Sequence, residues 1–119
     1  MVKNFKAEGA VAAFTLVKPG TADGQVVAGA AATDKLLGVS TDIAASLNER
    51  CDVILSGLAD VLYGGAVTRG DMLTSDATGR AVTAAPLAGV NNRIIGMAVV
   101  SGVVGDVGVV SIAQSTLQG

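Results

Sequence analysis

The stretch YGGAVTRGDMLTSDATGRAVTAAP, from Tyr63 to Pro86, decides the fold class of this chain. Short apolar runs alternate in it with three turns, Gly64-Gly65, Gly70-Asp71 and Asp76–Gly79. Glycine can take the positive φ that such turns need, and aspartate can accept a hydrogen bond from a nearby backbone N–H. We therefore predict β-scaffold here. The expected core residues of the stretch are Val67, Leu73 and Val82.

The rest of the chain repeats this pattern of short strands and Gly, Asp or Asn turns, which is typical of a sandwich or barrel. We predict one mainly β domain, a small β-barrel or β-sandwich, with at most one short helix. The helical candidate is 41–49, where Thr41 could cap and Ile43 and Leu47 share a face; a loop would fit equally well. The predicted strands are 11–17, 25–28, 36–40, 52–56, 59–63, 71–74, 81–84, 94–100 and 107–112.

The composition indicates a core of small side chains. Of the 119 residues, half are hydrophobic, yet only two Phe and one Tyr are aromatic, and 16 are Gly. A β domain with such a core often gains stability by pairing with copies of itself or with a larger partner. The net charge of −2, without a basic run or aromatic platform, disfavours nucleic acid as a partner. No apolar run approaches the ~20 residues of a membrane span.

The chain carries few groups suited to catalysis. It has no histidine, which excludes Ser-His and Cys-His nucleophile pairs and histidine zinc sites. Its single cysteine, Cys51, starts an apolar run, and we predict a small buried side chain. Most of the ten acidic residues lie beside glycine or at predicted turns. We therefore expect no enzyme activity, no cofactor, no metal and no small-molecule substrate.

Three short motifs suggest other functions. Arg69-Gly70-Asp71 matches the adhesion tripeptide of integrin ligands, but a tight turn explains Gly70 and Asp71 better. The segment 71–79 lacks the alternating acids and terminal Glu of a calcium loop, so we predict two strands joined by a turn. Ala32-Thr33-Asp34-Lys35-Leu36 resembles the lipoyl motif of carrier domains, which carry a modified lysine at a hairpin tip. A lipoyl- or biotinyl-type carrier domain modified on Lys35 is therefore the alternative function.

The two halves of the chain show a faint duplication. In the first, 24–27, 35–40 and 52–56 follow one another; in the second, 70–73, 93–98 and 106–111 have similar patterns. Both halves read as Gly-polar-apolar-apolar, then a basic residue before an apolar run with one glycine, then a strand opened by Asp. Two such units closing on one another would give a small barrel.

The order of strands and turns is also similar to that of the capsid decoration (cement) proteins of tailed bacteriophages. It runs DVxYGGxVxxGDxLTSDxxGRAV from Asp60, then IIGxA from Ile94 and GDxxxV from Gly105. The opening Lys-Asn-Phe-x-x-Glu-Gly, from Lys3, fits the same group.

This resemblance implies a structural protein that binds the outer surface of an assembled icosahedral shell and stabilises it by multivalent contacts between adjacent subunits. The implied partner is the major capsid protein, the implied oligomer a homotrimer, and the implied location the virion surface after production in the host bacterial cytoplasm. Residues 1–9 would form an N-terminal arm on a single β domain, 10–119. The expected capsid-binding residues are Lys3, Asn4, Phe5 and Lys6.

A third hypothesis is a subunit of another β-rich assembly, such as a tail or fibre component. Fibres usually show longer repeats and more aromatic or Asn/Gly stacking than this chain has. The decoration protein is therefore the function that the sequence favours.

Overall fold

The computed structural model describes all residues, Met1–Gly119, and contains ten strands and no helix. The all-β prediction is confirmed, and the 41–49 window forms bends and turns instead of a helix. The strands are β1 (Val2–Ala7), β2 (Leu16–Pro19), β3 (Gln25–Ala28), β4 (Gly38–Ser40), β5 (Arg50–Ile54), β6 (Gly57–Leu62), β7 (Met72–Ser75), β8 (Ala81–Thr83), β9 (Asn91–Ala98) and β10 (Val107–Gln118).

Strands β1 to β5 form a closed barrel in the order β1-β3-β2-β4-β5, called here the N-terminal barrel. Strand β5 returns antiparallel to β1, and a short parallel pairing of β1 with β3 completes the closure. The barrel is filled by small apolar side chains, as the composition predicts. Its buried residues are Ala7, Val11, Val17, Val26, Ala45, Cys51 and Val53.

The predicted N-terminal arm is a strand of this barrel. Strand β1 pairs with β5 from Val2↔Ile54 to Lys6↔Arg50. The mixture of charged and apolar residues in 2–7 is typical of a half-buried strand, whose neighbouring side chains point to opposite faces. Ala7 is fully buried and Phe5 packs against the barrel core, while Lys6 is exposed. Residues 1–9 therefore belong to the fold and do not extend from it.

Strands β6 to β10 form a second sheet in the order β6-β10-β9-β7-β8, called here the C-terminal sheet. Its edges β6 and β8 meet only at an isolated parallel bridge between Tyr63 and Ala81. Of the expected core residues, Val67 and Leu73 are buried and Val82 is half-buried. The prediction for Val82 is wrong because the preceding Ala81 is the residue of β8 that points inward, and neighbouring residues of a strand point to opposite faces.

The two halves have the same topology. When β6 to β10 are matched in order with β1 to β5, the strand orders β3-β2-β4-β5-β1 and β8-β7-β9-β10-β6 coincide. The registers coincide too. Leu16↔Val39 corresponds to Met72↔Met97, and the parallel pair Ala7↔Val26 corresponds to the bridge Tyr63↔Ala81. The duplication in the sequence is therefore a duplicated fold.

Three details of the predicted duplication are wrong. In the last pair of segments, β5 does match β10, but Asp52 corresponds to Val109 and not to Asp106. The halves do not close on one another; each forms its own five-stranded sheet. Residues 24–27 correspond to 79–82 and not to 70–73, since β3 matches β8. The match of 35–40 with 93–98 is correct, since β4 corresponds to β9. Glycine-rich turns precede several strands of both halves, so similar sequence patterns occur at positions that are not equivalent.

The N-terminal barrel packs against the open side of the C-terminal sheet. Three residues of the N-terminal half join the core of the C-terminal sheet. Leu16 lies on β2, Leu36 lies just before β4, and Val39 lies on β4. Backbone hydrogen bonds fix this contact on both sides of the opening. Leu62 N–H donates to Phe14 O (2.9 Å), and Leu16 N–H donates to Gly79 O (2.8 Å).

Candidate interaction surface

The side chains that could bind a metal are dispersed in the structure. No three His, Cys, Asp or Glu side chains come together as metal ligands. No helix long and apolar enough to cross a membrane is found. Cys51 is buried as predicted, and burial, followed by the charge of Asp52, raises the pKa of its thiol. A raised pKa keeps Cys51 in the less nucleophilic thiol form.

The Arg69-Gly70-Asp71 motif is part of a turn. Gly70 has a φ of 94°, which the tight turn requires. The Asp71 carboxylate accepts hydrogen bonds from Thr68 N–H (3.0 Å) and Thr83 Oγ1 (2.9 Å). Both acceptor contacts are internal, so the motif has the scaffold role that the sequence predicts.

The Asp76–Gly79 turn is tied together by the Asp76 carboxylate. It accepts hydrogen bonds from Thr78 N–H (2.9 Å), Arg80 N–H (2.9 Å) and the Arg80 guanidinium (2.8 Å). Burial alone would raise the pKa of Asp76, but these donors outweigh it and hold the pKa below its usual value. The turn carries Gly79, whose carbonyl receives Leu16 N–H from the N-terminal barrel.

Lys35 does not sit at a hairpin tip. It lies between β3 and β4, which flank β2 on opposite sides, so its loop crosses over β2. The neighbouring Asp34 carboxylate accepts from Ala30 N–H (2.8 Å) and pairs with Lys18 (3.1 Å). Burial would raise the pKa of Asp34, but these contacts lower it overall. The hairpin on which the carrier alternative depends is absent.

The four predicted capsid-binding residues all lie on β1. Lys3, Asn4 and Lys6 are exposed and Phe5 is half-buried, with the Lys3 ammonium 5.9 Å from the centre of its ring. Three of them line an open groove of about 390 Å³ beside the pairing of β1 with β3. The groove residues are Asn4, Phe5, Lys6, Gly24, Asn48 and Arg50.

A second exposed feature lies on the C-terminal sheet. Met72 of β7 and Met97 of β9 are cross-strand partners, and their relative exposures are 40% and 50%. Met97 also pairs with Ser111 of β10, which pairs with Leu58 of β6. These four residues form an uncharged row across four strands, called here the methionine row.

Exposed valines extend this apolar area past the end of β9. They lie in the loop to β10 and at the start of β10, and they are Val99, Val100, Val103, Val104 and Val107. Contiguous exposed apolar surface of this kind marks interaction sites on soluble proteins. Sequence reasoning assigned β7 and β9 to the scaffold and did not detect that one of their faces is exposed.

The comparisons with known proteins point to one fold. No protein-family model and no curated protein matches the chain. Among solved structures, the chain is similar to the crystal structure of the head fiber gp8.5 N base in bacteriophage phi29, with a TM-score of 0.75 and 20% sequence identity. The match covers 100% of this chain and 98% of that chain.

At this level of identity the likeness shows a shared fold. It covers both halves, so the arrangement of the N-terminal barrel beside the C-terminal sheet also occurs in a phage head fiber base. A β-rich fibre component was the third hypothesis from the sequence, and the similar structure is a component of a phage head fiber.

Proposed function

We propose that this protein is a non-enzymatic structural component of a tailed-phage virion, bound to the outer surface of the capsid. The single observation that carries the proposal is the match over the whole chain to a phage head fiber base. The sequence resemblance to capsid decoration proteins supports the same kind of protein independently.

The partner is the major capsid protein, and the protein binds as a homotrimer. Each trimer contacts adjacent capsid subunits at once, so that weak individual contacts add up to a stable attachment. Attachment across subunit boundaries raises the barrier to shell disassembly. The role requires a rigid fold with repeated contacts, and it uses no reactive group.

The predicted contact residues divide between the two ends of β1. Lys3 lies at the end near Val2, is exposed, and is our candidate for contact with the shell. Asn4, Phe5 and Lys6 line the groove of about 390 Å³, and their role is developed below. Because β1 is held by β5 along its length, Lys3 is presented on a fixed strand, which lowers the entropy cost of binding.

Co-sedimentation with capsids of the same phage tests this proposal. The wild-type protein is expected to pellet with assembled shells and to saturate them. Lys3→Glu, an exposed substitution on a retained strand, is expected to weaken this binding. A matched control is Lys35→Glu, on the crossover loop. Absence of any wild-type binding to assembled shells would overturn the proposed function.

A further inference from the structure

Because the fold is duplicated, the outer face of β2 and β4 has an equivalent in the outer face of β7 and β9. In the N-terminal barrel, the cross-strand pair Leu16 and Val39 points outward from β2 and β4, and both residues have 0% exposure. They are buried because the C-terminal sheet covers them and takes them into its core. The outer face of β2 and β4 is therefore covered by the C-terminal sheet of the same chain.

The equivalent pair in the C-terminal sheet is Met72 and Met97, which lies at the same register of the equivalent strands. These residues are 40% and 50% exposed. The same face of the same fold is thus covered in one half and uncovered in the other. Methionine at such a position suits an interface, because its flexible thioether side chain adapts to the surface it meets.

We infer that a second copy of this chain covers Met72 and Met97 of the methionine row, using its N-terminal barrel. The covered face is the counterpart of the face of β2 and β4 that is covered within one chain, but the receiving surface differs because the N-terminal barrel is closed. It is a head-to-tail contact, which closes into a ring when the rotation permits. The inference rests on the proposed function for the number of copies, three, and on the duplicated fold for the surfaces.

The receiving surface follows from the same correspondence. Within the chain, the C-terminal sheet bonds the segment 14–16 through two backbone groups: Leu62 N–H donates to Phe14 O, and Gly79 O accepts from Leu16 N–H. Their equivalents in the N-terminal barrel are Lys6 and Gly24, which bond to each other through Lys6 N–H and Gly24 O (2.9 Å). The pairing of β1 with β3 is therefore closed, and the second copy lies over it, in the groove of about 390 Å³.

Charge and polarity fit this pairing of surfaces. The groove contains the cations Lys6 and Arg50 together with the half-buried ring of Phe5. One acid lies beside the methionine row: Asp60 follows Leu58 by two residues on the same exposed face of β6. Opposite charges around an apolar centre favour the correct register of two surfaces.

The correspondence also defines a control. Leu58 ends the methionine row, and its equivalent in the N-terminal barrel is Val2. Val2 stays 56% exposed although its barrel is docked, and Leu58 is 66% exposed. The docked face therefore includes the positions of Met72 and Met97 and leaves the position of Leu58 in solvent.

Sedimentation equilibrium of the full chain tests the inference. Wild type is expected to self-associate. Met97→Glu is expected to raise the dissociation constant roughly tenfold or more, as for the central residue of an interface. Leu58→Glu, which adds the same charge at the end of the row, is expected to leave it unchanged. Circular dichroism checks that both variants are folded. A wild type that stays monomeric up to millimolar concentration, or equal behaviour of the two variants, would overturn the inference.

Disulfide trapping distinguishes a head-to-tail contact between copies from a two-fold contact. Met72→Cys protein is mixed under mild oxidation with Lys6→Cys protein, each on the wild-type background. Head-to-tail contact predicts cross-links between the two different variants. Cross-links of Met72→Cys with itself would indicate a two-fold contact and contradict the inference. Capsid binding is measured separately on the same samples, so that failure of the proposed function and failure of this interface give different results.

Discussion

The ring of Tyr63 fills the space over Gly108: a Cβ atom at Gly108 would overlap Tyr63 Cζ. Tyr63 is fully buried, and its hydroxyl donates to Val100 O (2.6 Å). The equivalent positions in the N-terminal barrel are occupied by Ala7 and Cys51. One half thus fills its core with a large side chain against a glycine, and the other with two small side chains.

Gly108→Ala is expected to destabilise the protein by about 1 to 3 kcal/mol, because the added methyl group overpacks the Tyr63 site. The measurement is the free energy of unfolding from denaturant titration. Gly65→Ala is the control, since a Cβ atom at Gly65 would contact only Val82 Cγ1, at an ordinary distance of 3.8 Å. Similar costs for the two substitutions would contradict the close contact of Tyr63 with Gly108.

A double substitution tests the correspondence between the halves. Tyr63→Ala is expected to cost about 3 to 5 kcal/mol by leaving a cavity. Adding Gly108→Cys, which copies the Ala7 and Cys51 pair of the N-terminal barrel, is expected to restore part of this loss. Gly108→Cys alone is expected to destabilise the protein. The coupling is read from a double-mutant cycle, and purely additive losses would show that the two cores are not equivalent in packing.

Gly70 offers a test of the turn that precedes β7. Its φ of 94° has its counterpart in Phe14, at 54°. A side chain is therefore tolerated at the equivalent turn, but a β-branched one is disfavoured. Gly70→Val is expected to destabilise the protein by about 1 to 3 kcal/mol and Gly70→Asn by less. Thermal unfolding compares them, and equal melting temperatures would argue against the strained turn.

Acid stability is expected to depend on Asp76. Its pKa in the folded protein is below the usual 3.8, so its ionised form is stabilised by folding. That stability is fully present above 3.8 and is lost as the pH falls through the lower folded pKa. The difference in unfolding free energy between wild type and Asp76→Asn should therefore shrink as the pH falls below 3.8. A difference independent of pH in that range would show that the charge of Asp76 contributes nothing.

The turns could be predicted from the sequence because their causes are local. Gly79 supplies a φ of 81°, and Asp76 accepts from donors within the next four residues. Most strands between the turns followed from this, but the predicted strand 11–17 is wrong over 11–15, since β2 runs from Leu16 to Pro19. Strand β1 could not be predicted, since its partner β5 is distant in sequence and Lys3 and Lys6 resemble a solvated terminus.

The candidate surface could not be predicted because it depends on tertiary packing. Leu16 and Met72 occupy equivalent apolar positions on short strands, and nothing in the local sequence shows that one is covered and the other exposed. The expected capsid-binding residues on β1 were predicted from the N-terminal arm that the family resemblance implies. In the structure Lys3, Asn4 and Lys6 are exposed and Phe5 is half-buried, and all four are held in the barrel by the pairing of β1 with β5.

Electron cryomicroscopy of capsids incubated with the purified protein tests the central claim most directly. The account predicts added density on the outer surface of assembled shells, in groups of three copies, each with an N-terminal barrel beside a C-terminal sheet. Shells that remain bare at saturating protein concentration, or density on the inner surface, would contradict it.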